Sequence, residues 1–316
     1  MLKRMRSFLV LVMLFIAVTM SAQVTTATMS GKVTAQDEPI IGATVVAVHE
    51  PAGTRYGTVT NVSGQFNLQG MRTGGPYKVE ISYVGYQTAI YKGINLLLGE
   101  NYVLNVSLKE SSELLDEVVV TASKESNMKS DRAGAIMNAN RDMISNTPTI
   151  SRSISDIMRL SPQGADVGNG FAVGGGNYRQ SFVTVDGAAF NNTFGLGGNL
   201  PANGSPISLD ALEQVTVAVT PFDVRQSGFT GGAINAVTRS GDNQFRGTVY
   251  GYFNNENLRG DKVEDYKLTR SKSQYYTYGA SFGGPIIKDK LFFFVNGEYE
   301  DNVTAGSSYQ PRTSLD

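Results

Sequence analysis

The feature that most constrains this chain lies near its C-terminal end, where three segments alternate strictly between apolar and polar side chains. The segments span residues 245–254, 275–282 and 291–300. A strand places successive side chains on opposite faces, so each segment would have one face suited to lipid and one suited to water. Segments of about ten residues with this alternation, and with aromatic residues near their ends, are typical of transmembrane β-barrel strands.

The connections between these segments fit the same interpretation. The first connection, around residues 255–273, is long and charged, whereas the second, at residues 288–290, is short. Outer-membrane barrels have long external loops and short periplasmic turns, and they need at least about eight strands to close. The sequence therefore predicts that residues 242–316 begin a transmembrane β-barrel that three strands cannot complete.

The N-terminal residues have the pattern of a secretory signal peptide. Lys3, Arg4 and Arg6 precede an apolar run at residues 8–20, and the small residues Ser21 and Ala22 follow. The run is shorter than the roughly 20 apolar residues of a membrane-spanning helix, although an uncleaved anchor is the alternative. We expect residues 1–22 to be a signal peptide cleaved after Ala22, and the protein to be exported.

Composition excludes several classes of function. The chain has no cysteine and one histidine, His49, which excludes disulfides, thiolate metal sites and metal sites that need two imidazoles. The 27 Lys and Arg residues nearly balance the 28 Asp and Glu residues, which argues against a basic nucleic-acid-binding surface. We therefore expect no enzymatic activity, cofactor, metal or nucleic-acid partner.

Residues 23–110 show short alternating segments separated by turn signals. Tyr77, Val79, Ile81 and Tyr83 share one predicted face. Residues 41–48 are apolar enough for a strand buried on both faces. About seven short strands in about 80 residues predict an immunoglobulin-like or transthyretin-like β-sandwich. His49 ends one predicted strand, and its position there favours an ordinary strand residue over a metal ligand.

A polar linker at residues 111–130 contains three consecutive valines. High β propensity without an obvious packing partner leaves two interpretations open. The segment either forms an additional strand of the preceding sandwich or adds itself to the sheet edge of another protein. The candidate coupling residues are Asp116, Glu117, Val118, Val119, Val120, Thr121 and Ala122.

Residues 131–241 are rich in glycine and predict a small α+β domain. A short amphipathic helix is predicted within residues 150–160, and strands are predicted at residues 180–186, 214–219 and 231–238. Glycine and asparagine allow tight turns in the irregular connections. Two interpretations of the arginines of this region stay open: ion pairs with acidic residues on a surrounding barrel, or simple solvation, which is favoured for any single residue. These arginines are Arg132, Arg141, Arg152, Arg159, Arg179, Arg225 and Arg239.

Several of these segments resemble known families. Residues 39–45, 60–66 and 81–86 resemble the carboxypeptidase regulatory-like sandwich, a module without peptidase residues. Residues 116–122 look like the TonB box of TonB-dependent outer-membrane transporters.

Four landmarks follow in the order found in the plug domain of those transporters. They lie at residues 155–162, 183–187, 209–217 and 225–241. The resemblance carries the plug motif onto Asp186, Gly187, Arg225, Gly231, Gly232 and Asn235.

The barrel segment is similar to the Oar-like branch of the family, through residues 283–287 and 291–297. The Ile-Arg-Gly strand of SusC-type plugs does not occur here, which puts pairing with a SusD-like lipoprotein in doubt. The resemblance implies an outer-membrane location in contact with lipid and plug-gated uptake of an extracellular ligand. It also implies coupling to the periplasmic TonB protein and its ExbB/ExbD motor.

A different class of function is an exported adhesion or ligand-binding protein built on the sandwich, with the remainder as a surface stalk. In that case the C-terminal strands would form a soluble sheet. Dependence on detergent separates the two interpretations, because a stalk should stay in solution without it.

Overall fold

The computed structural model contains two compact units, residues 1–239 and 240–316. The residues that the structure describes are 25–111, 118–121, 136–149, 152–167, 170–191, 200, 207–219, 231–258, 260–267 and 271–305. The predicted signal peptide, Arg132 and Arg225 lie outside them. Within the described ranges, the helices are all too short or too polar to cross a membrane.

The first part of the larger unit is a β-sandwich of two sheets. One sheet has the order β2–β1–β5, with β8 and β9 paired in parallel to successive parts of β1. The other has the order β7–β6–β3–β4. The strands are β1 (Ala27–Ala35), β2 (Glu38–Pro39), β3 (Thr44–His49), β4 (Thr54–Val59), β5 (Gln65–Met71), β6 (Gly74–Ser82), β7 (Ala89–Leu96), β8 (Asn101–Val103) and β9 (Val106–Ser107).

The sandwich core follows from alternation along its strands. On β6, Tyr77, Val79 and Ile81 are fully buried between the sheets. The Tyr77 hydroxyl donates a hydrogen bond to the carbonyl oxygen of Arg72 at 2.7 Å, which satisfies a polar group in the core. Burial raises the pKa of Tyr77. Tyr83 lies beyond the end of β6 and is partly exposed, so the predicted face is correct for its first three members.

The expectation that residues 41–48 form a strand buried on both faces is wrong. The strand begins at Thr44, and only alternate residues, among them Val45 and Ala47, are fully buried. Ile41 precedes the strand and is exposed. The sandwich covers only one side of this sheet, so the apolar residues on the other side remain partly open to solvent.

His49 is the last residue of β3 and is buried. Its Nδ1 accepts a hydrogen bond from the backbone N–H of Ala52 at 3.3 Å. Its ring meets Tyr77 edge-on, with 5.0 Å between centroids. These contacts give His49 a structural role in the turn after β3.

The second part of the larger unit is an α+β domain around a sheet of order β11–β16–β17–β14–β15. The two helices pack against this sheet through a core that includes Ile154, Ile157, Leu212 and Ile234. The elements are β11 (Ile136–Ala139), α1 (Arg141–Asn146), α2 (Ile154–Met158), β12 (Gly164–Asp166), β13 (Phe171–Val173), β14 (Phe182–Val185), β15 (Ala188–Ala189), β16 (Leu212–Ala218) and β17 (Ala233–Thr238).

Helix α2 illustrates how the sequence specifies this domain. Ser153 is its N-cap, and the Asp156 carboxylate accepts a hydrogen bond from the Ser153 backbone N–H at 3.5 Å. Asp156 also places a negative charge in the first turn, where the helix dipole favours it. The predicted apolar face is confirmed for Ile154, Ile157 and Met158. The described helix is shorter than predicted and ends before Pro162.

The second unit is an antiparallel sheet of order β18–β21–β22. The short turn at residues 288–290 connects β21 to β22, as predicted. The long connection between β18 and β21 contains a small hairpin of β19 and β20. The strands are β18 (Arg246–Asn255), β19 (Lys262–Val263), β20 (Tyr266–Lys267), β21 (Ser273–Ile287) and β22 (Leu291–Thr304).

Two strand glycines of the sandwich offer a matched test of this packing. A Cβ added at Gly31 would lie 1.8 Å from the carbonyl oxygen of Leu104, whereas one at Gly57 would have only a single neighbour, at 3.9 Å. We expect Gly31→Ala to destabilise the sandwich by about 2–3 kcal/mol, because backbone atoms must shift. Gly57→Ala should change stability by less than about 0.5 kcal/mol. Thermal unfolding followed by circular dichroism measures both, and equal effects would contradict the packing.

Candidate functional site

The valine-rich segment of the linker forms a strand on the sandwich. Strand β10 (Val118–Thr121) pairs in parallel with β7, in the register Val118 to Ala89 and Thr121 to Lys92. It thereby extends the second sheet of the sandwich to the order β10–β7–β6–β3–β4. Asp116, Glu117 and Ala122 lie outside the described residues. Of the two interpretations of this segment, the additional strand is the arrangement seen, while its coupling role stays a prediction.

The chain leaves the sandwich beside the position where β10 begins. Tyr86 and Glu110 form an isolated antiparallel bridge. The backbone N–H of Ser111 donates to the carbonyl oxygen of Gly85 at 3.0 Å. These contacts hold the end of the sandwich against the turn that precedes β7.

Buried polar contacts join the sandwich to the α+β domain. The backbone N–H of Leu98 donates to Gln214 Oε1 at 3.1 Å. Asn138 Nδ2 donates to Glu100 Oε1 at 2.6 Å, and Asn138 Oδ1 accepts from the Thr216 hydroxyl. We call this set of contacts the polar junction; sequence alone gave no signal for it, because its partners are distant in the chain.

Glu213 lies next to the polar junction on β16 and is half-buried. Burial raises its pKa, since removing a carboxylate from water disfavours the charged form. The charges of Arg239, Arg72 and Arg141 act in the opposite direction but do not cancel this effect.

Asp186 and Gly187, two residues of the predicted plug motif, form the tight turn between β14 and β15. Both residues have positive φ, 49° and 81°, as a two-residue type I′ hairpin turn requires. The Asp186 carboxylate accepts hydrogen bonds from the Thr238 backbone N–H at 2.9 Å and from its hydroxyl at 2.6 Å. Asn235 Oδ1 accepts from the Thr184 hydroxyl at 2.7 Å.

The two glycines of the plug motif lie at the other end of the same strand pair. The Gly231 backbone N–H donates to the carbonyl oxygen of Gln180 at 3.2 Å. A Cβ at Gly232 would lie 2.5 Å from Val173 Cγ1, so the close approach requires glycine. The structure thus places five of the six motif residues along the pairing of β14 with β17, where they define its geometry; the sixth, Arg225, lies outside the described residues.

Three of the arginines for which a barrel lining was a candidate partner have acidic partners within the domain. Asp210 binds two, with Arg152 Nη2 at 2.8 Å and Arg141 Nη2 at 3.3 Å. Arg159 pairs with Asp156 and Asp166. These acidic residues are in the same domain as the arginines. Sequence analysis missed Asp210, although its position in the first turn after the Ser208 cap was a usable signal.

The sheet of the second unit aligns the predicted apolar faces in register. Val249 is opposite Ala280, which is opposite Gly297. Phe282 and Val295 form an adjacent pair on the same face. The exposed fraction is 87% for the Val249 side chain and 63% for that of Val295. A continuous apolar face of this kind is costly in water and is expected where a sheet meets lipid.

The opposite face of this sheet is polar. The hydroxyls of Thr248 and Ser281 lie 2.6 Å apart, at hydrogen-bond distance. The Tyr250 hydroxyl donates to the Glu298 carboxylate. Gly279 leaves the space for this contact, because a Cβ there would lie 2.1 Å from Tyr250 Cζ. The arrangement is that of a barrel strand group with a hydrated inner surface.

Among the residues that the structure describes, no group of three or more His, Cys, Asp or Glu side chains could hold a metal ion. The features that the structure does show are a strand added to the sandwich, an α+β domain and, in the second unit, an amphipathic sheet.

Comparisons with known proteins agree with these parts. Residues 28–109 match the carboxypeptidase regulatory-like domain family, and residues 237–313 match an outer membrane beta barrel domain family. The matches and the fold agree on a regulatory-like β-sandwich and, near the C-terminal end, strands like those of an outer-membrane β-barrel.

The sequence is also similar to two curated relatives. It is 25% identical over 272 residues to the TonB-dependent transporter Oar of Myxococcus xanthus, covering 81% of this chain and 25% of that protein. It is 29% identical over 281 residues to the TonB-dependent receptor SusC of Bacteroides thetaiotaomicron, covering 84% of this chain and 26% of that protein. The chain thus spans about a quarter of the length of these relatives.

A solved structure, the siderophore receptor PirA from Acinetobacter baumannii, aligns with 52% of this chain and 24% of its own, at 20% identity and a TM-score of 0.42. The two domain matches and the two relatives show that the chain is similar to part of a TonB-dependent receptor. The predicted regulatory-like sandwich and the barrel strands are confirmed. An outer-membrane location follows from the same matches.

The raised pKa of Glu213 predicts a pH dependence of stability. Between the unfolded carboxyl pKa of about 4.3 and the higher folded value, the folded protein binds more protons, so its stability falls as pH rises. The glutamine in Glu213→Gln cannot ionise, so the stability of this variant should not show the same decrease with pH. Its stability relative to the parent protein should therefore be higher at pH 7 than at pH 4. Thermal midpoints at both pH values measure this, with the exposed Glu38→Gln as control. An equal difference at both pH values would contradict it.

The apolar face of the second unit predicts opposite effects of lysine at adjacent residues. Val249→Lys places a charge on the face assigned to lipid, and a charge near the bilayer midplane costs about 2–4 kcal/mol in such barrels. Thr248→Lys points to the polar face and should be tolerated. We expect reduced recovery of the Val249→Lys receptor in outer-membrane fractions. Equal recovery of the two variants would refute the assignment of faces.

Proposed function

We propose that the chain provides the coupling segment and plug of an active transporter in the outer membrane. In this proposal the α+β domain, residues 131–241, blocks the barrel, and a ligand binds from outside. Residues 116–122 pair with the periplasmic TonB protein, which the ExbB/ExbD motor of the inner membrane energises. TonB then pulls the plug into an open arrangement, and no covalent chemistry takes place.

The observation that carries this proposal is the amphipathic sheet of β18, β21 and β22. Its register brings the apolar residues of all three strands onto one face, including Val249, Phe282 and Val295. A soluble stalk would not expose so continuous an apolar surface to water. This favours a transport protein of the outer membrane over an exported adhesion or ligand-binding module.

The internal contacts of the α+β domain suit a part that must move as a body. Asp210 holds Arg141 and Arg152, and Asp186 fastens β14 to β17 through Thr238. These contacts stabilise the domain from within. A plug with such internal support could change its position in the barrel without unfolding.

The β10 segment has the backbone chemistry for pairing with a partner strand. Val118–Thr121 is already extended, and it forms the edge of its sheet. Main-chain hydrogen bonds supply affinity when such a segment joins the sheet of another protein.

A proline in this segment tests the coupling role. Val119→Pro removes one backbone N–H and disfavours continued strand pairing. We expect the variant receptor to lose co-purification with TonB and to lose uptake, while its amount and heat-modifiable mobility in the outer membrane remain unchanged.

Ser126→Pro is the matched control, since it places the same residue in the linker beyond residues 116–122. It should retain TonB binding. Normal TonB binding by Val119→Pro would refute the coupling role of the segment.

A further inference from the structure

We propose that the β7 edge of the sandwich is a binding site for β10, which keeps the coupling strand from its periplasmic partner until it is released. The inference rests on the proposed coupling role of residues 116–122 and adds its regulation. The sandwich would then act as an internal competitor of TonB for the same short strand.

The pairing of β10 with β7 is regular. Four consecutive residue pairs align in parallel, from Val118 with Ala89 to Thr121 with Lys92. Without β10, β7 would be the edge of its sheet and would expose unpaired N–H and C=O groups. The unpaired backbone groups of this edge would favour binding of an extended segment. In the structure that segment is β10 of the same chain.

The route of the chain favours this pairing over pairing with another molecule. Ser111 is held to Gly85, and β10 begins beside Ala89. Only the six residues 112–117 separate these two fixed points. A short connection gives the strand a high effective concentration at its own acceptor edge. A partner must overcome this advantage to capture the strand.

The direction of the expected pull also requires release. The chain continues from β10 through residues 122–135 to the α+β domain. If β10 were still paired with β7, a pulling force on β10 would act on the sandwich. If β10 were released, the force would be transmitted along the chain to the α+β domain. Addition of a partner to the opposite edge of β10, with β7 still paired, is the competing arrangement.

An engineered cysteine pair tests whether β7 holds the strand in the full chain. Lys92 and Thr121 are Cα partners, Lys92 is exposed, and the protein contains no cysteine of its own. We expect Lys92→Cys combined with Thr121→Cys to cross-link under mild oxidation. The control combines Thr121→Cys with Arg55→Cys on β4, at the far edge of the same sheet, and should not cross-link. Cross-linking no greater than in this control would overturn the proposal.

The same variant tests whether release is required for capture. The probe is the purified C-terminal domain of TonB, and its binding is compared before and after reduction of the cross-link. We expect the oxidised protein to bind about tenfold more weakly or worse, with recovery on reduction. Equal binding in both states would show that the partner adds to the free edge of β10, and would overturn the proposal.

Failure of the proposed function has a different signature. Neither the reduced protein nor a synthetic peptide of residues 112–125 would then bind the TonB domain. Peptide binding that is stronger than binding by the reduced protein supports storage of the strand on the sandwich, because the peptide has no internal competitor.

Discussion

The backbone groups at the edges of β-sheets need hydrogen-bond partners, and this requirement applies to both the sandwich and the C-terminal sheet. Backbone N–H and C=O groups at an edge require partners, most stringently in lipid, where water cannot supply them. In the part of the chain that the structure describes, β18 and β22 are the outer strands of their sheet, so their outer edges have the same requirement. The sandwich meets the same requirement at β7 with a segment from the linker. Strand β10 therefore completes the edge of a sheet in the fold.

The sequence predicted most accurately those elements that depend on local periodicity. Alternation in residues 245–254 assigned Val249 and Thr248 to opposite faces, because side-chain direction repeats every second residue. Reasoning from apolar content failed at residues 41–48, since apolar content does not show where a strand begins or how many of its faces are covered. Ile41, for example, precedes the strand and is exposed.

Contacts between residues far apart in the chain were beyond sequence reasoning. The pairing of Asp210 with Arg141 and Arg152 joins residues separated by 69 and 58 positions. Charge alone gave these arginines no particular partner, and the acidic residue that binds both lies in the same domain. The partner of the valine segment was equally open, because β propensity favours an extended strand without specifying the edge to which it binds.

The polar junction has a consequence for any separation of the sandwich from the α+β domain. Its contacts, such as those of Gln214 with Leu98 and of Asn138 with Glu100, are hydrogen bonds. Water can replace each of these partners if the two domains part, so at these contacts separation would uncover little surface that promotes aggregation. Because hydrogen bonds depend on direction, the same contacts would guide the domains back to one orientation. Polar contacts of this kind are therefore suited to reversible separation of the two domains.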